Sequence, residues 1–313
     1  MSTEGGTKAV VAALSANLAI GLTKFGAYAL TGSSSMLAEA IHSVADSGNQ
    51  VLLLVGAKKS RQEATPEHPF GYARYRYYYA FLVAVVLFTL GGCFALYEAW
   101  HKWQHPEGIT SWHWVPPTVL IVAIVIESMS LRVAVRESNH VRGGMSWPKF
   151  VRRHRSPELP VILMEDLGAL IGLAFALFGV SMTLITGDGR WDAFGTAMIG
   201  VLLVTIAIVV ARETREMLLG ESAVPEDIEK ITTALHDAGY PDIIHLRTVH
   251  IGPEDILVTA KVGAQPGESL ATIGARTDDA EARIRAAVPN VHLIFIEPDV
   301  RHAEPAAEPA PGA

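Results

Sequence analysis

One cysteine, Cys93, occurs in 313 residues, and it lies inside an apolar run. That excludes an intrachain disulfide and any cysteine-based zinc site. Cys93 itself reads as a small core residue. Charge is also scarce, at 18% of the chain, while half of the residues are hydrophobic and the mean hydropathy is +0.29. Such a balance is unusual for a soluble protein of this length and points to a membrane protein. The N-terminus lacks the basic segment, short apolar core and cleavage pattern of a signal peptide, so the first apolar run is expected to remain in the mature chain. No HExxH motif and no obvious nucleophile is present, which argues against an enzyme, including an intramembrane metalloenzyme.

Six apolar runs are present, at residues 8–30, 36–60, 77–100, 114–135, 159–185 and 191–210, each near the ~20 residues that cross a bilayer. The segments after the second and fourth runs carry Lys58, Lys59, Arg61, Arg74 and Arg76, then Arg132, Arg136, Arg142, Lys149, Arg152, Arg153 and Arg155. The opposite loops hold only Lys102 and Arg190. By the positive-inside rule, both termini and the basic loops are cytoplasmic, or face the equivalent compartment of an organelle. Trp100, Trp103, Trp112, Trp114 and Trp191 fall at the expected outer ends, where an interfacial aromatic belt lies.

Residues 220–313 carry sixteen acids against seven bases, whereas residues 1–219 carry sixteen against eighteen. An acidic C-terminal part argues against nucleic acid as a partner. Its pattern reads helix, strand, strand, helix, strand, an αββαβ domain of α+β class, with Glu254 and Asp255 in the hairpin turn. The expected division is a six-transmembrane-helix bundle over 1–216, a cytoplasmic domain over 217–299 and a disordered tail over 300–313.

The second run, "MLAEAIHSVADSGNQVLLLVGAKKS", carries Glu39, His42, Asp46 and Asn49 on one helical stripe. An ionisable residue at the centre of a span costs about 3 kcal/mol and usually faces a bundle interior or an aqueous path. The fifth run supplies Glu165 and Asp166. Measured from the cytoplasmic ends, Asp166 lies ~12 Å deep and Asp46 ~18 Å deep, so the two sets occupy comparable heights. If the helices are neighbours, an imidazole and two or three carboxylates converge. Like charges repel there, and a divalent cation relieves the repulsion. One imidazole with carboxylates suits Zn²⁺, with Mn²⁺, Fe²⁺ or Co²⁺ as alternatives, and the same groups can take protons when the metal leaves. His42 is the best proton carrier. Asn17 reads as helix-packing glue, and Glu127 either pairs with Arg132 or lines the pathway.

The segments "TGSSSMLAEAIHSVADSGNQ" and "EHPFGYARYRYYYA", with the six-span plus αββαβ plan, resemble the cation diffusion facilitator family of divalent-metal transporters. The resemblance runs from about residue 8 to residue 298 and is strongest to the branch that includes the mitochondrial zinc transporter. It implies a homodimeric metal/proton antiporter of the cell inner membrane, with the metal as transported substrate and no cofactor. His42, Asp46 and Asp166 match the family's ligands. Its usual ligand four residues before Asp166 would fall at Ile162, which cannot bind a metal. Glu165 is the substitute, although adjacent helical residues point ~100° apart; water, Asn49 or Glu127 could complete the site. His68 matches a peripheral ligand, but Tyr72 stands where some members have a second His. In the soluble domain, His236, His245, His250 and His292 lack tight spacing, and His250 and His292 are weak metal candidates. A rival reading is a membrane-anchored metal sensor, in which His42 and Asp46 are dispensable and the domain histidines are not.

Overall fold

A computed structural model describes residues 3–106, 108–109, 111–153 and 157–300, without the side chains of residues 3–16, 152 and 153. Arg155 and residues 301–313 of the expected tail lie outside the described residues. The chain divides after Leu218 into two compact units.

The first unit is helical: α1 (Thr3–Thr31), α2 (Ser34–Lys59), α3 (Tyr75–Val86), a π-helical turn (Leu87–Cys93), α4 (Phe94–Gln104), α5 (Val115–Arg142), the short α6 (Trp147–Arg153), α7 (Glu158–Thr186) and α8 (Arg190–Leu219). From α3 to α4 the chain forms one continuous helix, Tyr75–Gln104. Among the described residues this helix, α5, α7 and α8 are long and apolar enough to cross a membrane; α2 is comparably long but carries Glu39, His42, Asp46, Lys58 and Lys59. Leucine and isoleucine side chains such as Leu87, Leu120, Leu173, Ile199 and Leu203 fill the interior. Ile121, Val122, Val125, Met129 and Val133 project from α5 uncovered. An apolar outer surface of that kind requires lipid rather than water around it. The protein is a helical membrane protein with a small C-terminal sheet domain.

Glycines set the helix spacing. A Cβ on Gly179 of α7 would stand 2.8 Å from the Trp191 carbonyl oxygen, and one on Gly195 of α8 2.8 Å from the Phe175 carbonyl oxygen. Both are overlaps, so the α7–α8 crossing needs backbone against backbone, as small residues allow in membranes. On the other side of α8, a Cβ on Gly92 would meet Val204 Cγ2 at 2.6 Å. Gly92 belongs to the π turn, whose extra residue shifts the side chains that follow. Gly91 and Gly92 thereby face inward, and Cys93 is exposed rather than a core residue.

The start of α2 is held by another helix. Asp192, in the first turn of α8 and 1% exposed, accepts hydrogen bonds from the Ser34 N–H (2.7 Å), the Ser35 N–H (3.3 Å), Ser33 Oγ (2.9 Å) and Ser34 Oγ (3.2 Å). Ser33 also caps α2 by accepting from the Met36 N–H. A carboxylate at a helix N-terminus satisfies orphan amides and complements the dipole.

The second unit contains α9 (Pro225–Asp237), β1 (Ile243–Gly252), β2 (Asp255–Gly263), α10 (Leu270–Ala287) and β3 (Val291–Asp299). Strands β1 and β2 form an antiparallel hairpin across Pro253 and Glu254; Asp255 opens β2 rather than sitting in the turn. The pairing of β2 with β3 is parallel, which requires a crossover, and α10 supplies it. Ile256, Val258, Ala260 and Val262 alternate inward along β2 and join Ile231, Leu235, Tyr240 and Ile284 in the core.

Replacing Asp192 with Ala strands the buried Ser34 and Ser35 amides. The expected cost is at least about 1–3 kcal/mol, measured as a lower unfolding midpoint in detergent, and an unchanged midpoint would show that the cap does not hold α2.

Candidate functional site

The polar stripe of α2 faces inward. Glu39 and Asn49 are fully buried, His42 is 2% exposed, and the Asp46 side chain is 16% exposed. His42 Nε2 lies 3.5 Å from Asp46 Oδ2, one turn away, without hydrogen-bond geometry. Neither ring nitrogen of His42, nor Asp46 Oδ1, has a hydrogen-bond partner among the described residues. Buried polar atoms rarely remain so, because losing water without a replacement is costly.

Helix α7 meets this stripe directly. Asn49 Nδ2 donates to Glu165 Oε1 at 2.7 Å, and Glu165 is 7% exposed. Asp166, one residue on, turns to a different neighbour: its Oδ2 accepts from Ser130 Oγ of α5 at 2.9 Å. Successive helical residues point ~100° apart, so the two carboxylates divide between α2 and α5. Glu127 of α5 is half-buried, one turn before Ser130 on the same helix. Donors from α2, α5 and α7 thus share one region of the bundle. Among the described residues, however, no three His, Cys, Asp or Glu side chains are drawn together closely enough to hold a metal ion. Ile162 packs with the apolar core.

Lys24 of α1 was not anticipated. Its Nζ lies 3.0 Å from Glu39 Oε2 and 2.9 Å from Ser43 Oγ, with the Lys24 and Glu39 side chains 2% and 0% exposed. A lysine deep inside the first apolar run was the available signal, since an unpaired ammonium there is very costly. Glu39 therefore has a cationic partner already.

The peripheral candidates are simpler. His68 is exposed and its ring lies 4.5 Å from that of Tyr72, while Gly71 takes the positive φ of +78° that this loop needs. His250 is buried, with Nδ1 3.4 Å from the Gly252 carbonyl oxygen. The exposed His292 lies 2.6 Å from Asp255 through Nδ1. His236 and His245 are exposed.

Ionisable residues buried between apolar helices define a class, membrane proteins with an internal polar path for ions or protons. The narrower assignment follows from comparison: residues 10–219 match the family model for the cation efflux transmembrane domain, and the chain belongs to the cation efflux family, one of transporters rather than enzymes. It is 35% identical over 244 residues to the mitochondrial proton-coupled zinc antiporter of Homo sapiens, covering 77% of this chain and 43% of that protein. Metal tolerance protein C4 of Arabidopsis thaliana is 29% identical over 265 residues, covering 82% and 56%. The manganese efflux system protein MneP of Bacillus subtilis is 23% identical over 229 residues, covering 71% and 72%. The chain spans less than half the length of the human relative.

Replacing Asn49 with Leu removes the donor to a buried carboxylate oxygen. A loss of about 1–3 kcal/mol is expected, read from thermal unfolding in detergent; an unaltered midpoint would mean that this bond does not tie α2 to α7.

Proposed function

We propose that the chain exports a divalent transition metal, zinc first, in exchange for protons, with His42, Asp46 and Asp166 as metal donors and Glu165 as auxiliary. The observation that carries this reading is His42: a buried imidazole with no hydrogen bond at either nitrogen among the described residues, 3.5 Å from a carboxylate. A metal ion satisfies such a ring, and so does a proton shared with Asp46. Membership of the cation efflux family and the human relative's name, a proton-coupled zinc antiporter, support metal as cargo and protons as counter-substrate.

In this reading α1 and α2 cross the bilayer with the four apolar helices, giving six spans over 1–216. Both termini and the basic loops are cytoplasmic, the host membrane is the cell inner membrane, and two copies form a homodimer. The 217–299 domain is cytoplasmic. Metal enters with the site open to the cytoplasm, where carboxylates and the imidazole replace its water. Its charge relieves their mutual repulsion. When the bundle opens to the other side, protons take the metal's place and return the donors inward, so each state of the site is compensated. Asn49 and Ser130 orient Glu165 and Asp166 by hydrogen bonds.

A second reading keeps the machine and changes the cargo to Mn²⁺, Fe²⁺ or Co²⁺. The donor set favours it: one nitrogen among several carboxylate oxygens is harder than a typical zinc site.

Proteoliposomes with an internal pH dye, tested with each of the four metals, decide between these. Metal should enter as protons leave, and Asp46→Ala and Asp166→Ala should each lower the rate by at least about tenfold; the preferred ion fixes the cargo. Normal transport in the alanine variants would sink the site, and a wild type that moves no metal under an imposed pH gradient would favour the sensor reading.

A further inference from the structure

Glu39 lies three residues before His42 and seven before Asp46, so it belongs to the same α2 stripe as the proposed metal donors. Its carboxylate is turned away to α1, where Lys24 Nζ bonds both Glu39 Oε2 and Ser43 Oγ. These two partners flank His42 in sequence. The other oxygen, Oε1, has no hydrogen-bond partner among the described residues and lies where a Cβ on Gly172 of α7 would approach to 3.1 Å. Glu39 is thus wedged between α1 and the glycine backbone of α7, and Lys24 supplies its countercharge.

We propose that Lys24 is a positioning residue for cargo specificity: by binding Glu39 it withholds that carboxylate from the metal and keeps the site selective for zinc over harder cations such as Mn²⁺. The inference rests on the transport reading above. With Lys24 in place, the Lys24–Glu39 pair is neutral and the metal meets one imidazole and the carboxylates of Asp46, Asp166 and Glu165. Without it, Glu39 adds one negative charge and two oxygen donors within reach of the same stripe. More oxygen and more charge favour Mn²⁺, while the single nitrogen that favours zinc stays constant. Buried and unpaired, Glu39 would itself require a cation.

The test is equilibrium binding of radioactive zinc to the purified full chain, with Mn²⁺ binding followed by electron paramagnetic resonance. Each variant is first checked for a single elution peak and native helix content. Lys24→Met should lower the zinc-to-manganese affinity ratio by about tenfold. Lys24→Gln, which keeps a neutral donor for Glu39 and folds more readily, should shift it in the same direction. Lys24→Arg should preserve the ratio, and Lys24→Met combined with Glu39→Gln, which leaves no unpaired charge, should restore it. An unchanged ratio in Lys24→Gln overturns the proposal, as does an equal shift in the double variant, since the lysine would then act without Glu39. Wild-type protein that binds neither metal, or a His42→Ala variant that binds zinc as tightly as the wild type, would instead defeat the transport reading.

Discussion

The structure turns on one buried ring. His42 is 2% exposed, and its two nitrogens have no hydrogen-bond partner among the described residues. Around it, the surrounding polar groups are matched across helices: Lys24 to Glu39, Asn49 to Glu165, Ser130 to Asp166. Each match joins a different pair of helices, so the polar groups also act as clamps. In a medium that offers no water, these pairings are what make the buried charges tolerable. On the proposed reading, the imidazole is left for a partner that comes and goes.

Packing supplies the proximity. Gly179 and Gly195 let α7 and α8 touch backbone to backbone, and Gly92 in the π turn admits Val204 on the opposite side of α8. Asp192 then fixes the first turn of α2 against α8. Helix α2 is therefore held at its start by α8 and at its middle by α1 and α7. A site built between helices held in this way can change its exposure when the helices move, without rebuilding its donors.

Much of this was legible in the sequence because helical periodicity is strong: the α2 stripe follows from spacings of three and four residues, and the long helices from apolar runs. Contacts between distant residues were not legible. Asn49 and Glu165 are 116 positions apart, and nothing local records that they meet. Periodicity does foretell that Glu165 and Asp166 diverge, but not that one turns to α2 and the other to α5. The role of Lys24 was not legible because its carboxylate, Glu39, stands on the next helix, 15 positions away. Cys93 was misread because an apolar run in a span does not tell a lipid-facing position from one in the bundle core, and Cys93 proves exposed at the end of the π turn.

The central claim is that the imidazole of His42 and the carboxylates beside it form a metal site. X-ray absorption at the zinc edge, on full chain loaded with one equivalent of zinc, tests it most directly, with His42→Asn as the difference sample. The account predicts nitrogen and oxygen neighbours at about 2.0–2.2 Å with the scattering of a single imidazole, and loss of that imidazole signal in His42→Asn. An imidazole signal that persists unchanged in the variant would locate the zinc elsewhere and contradict the account.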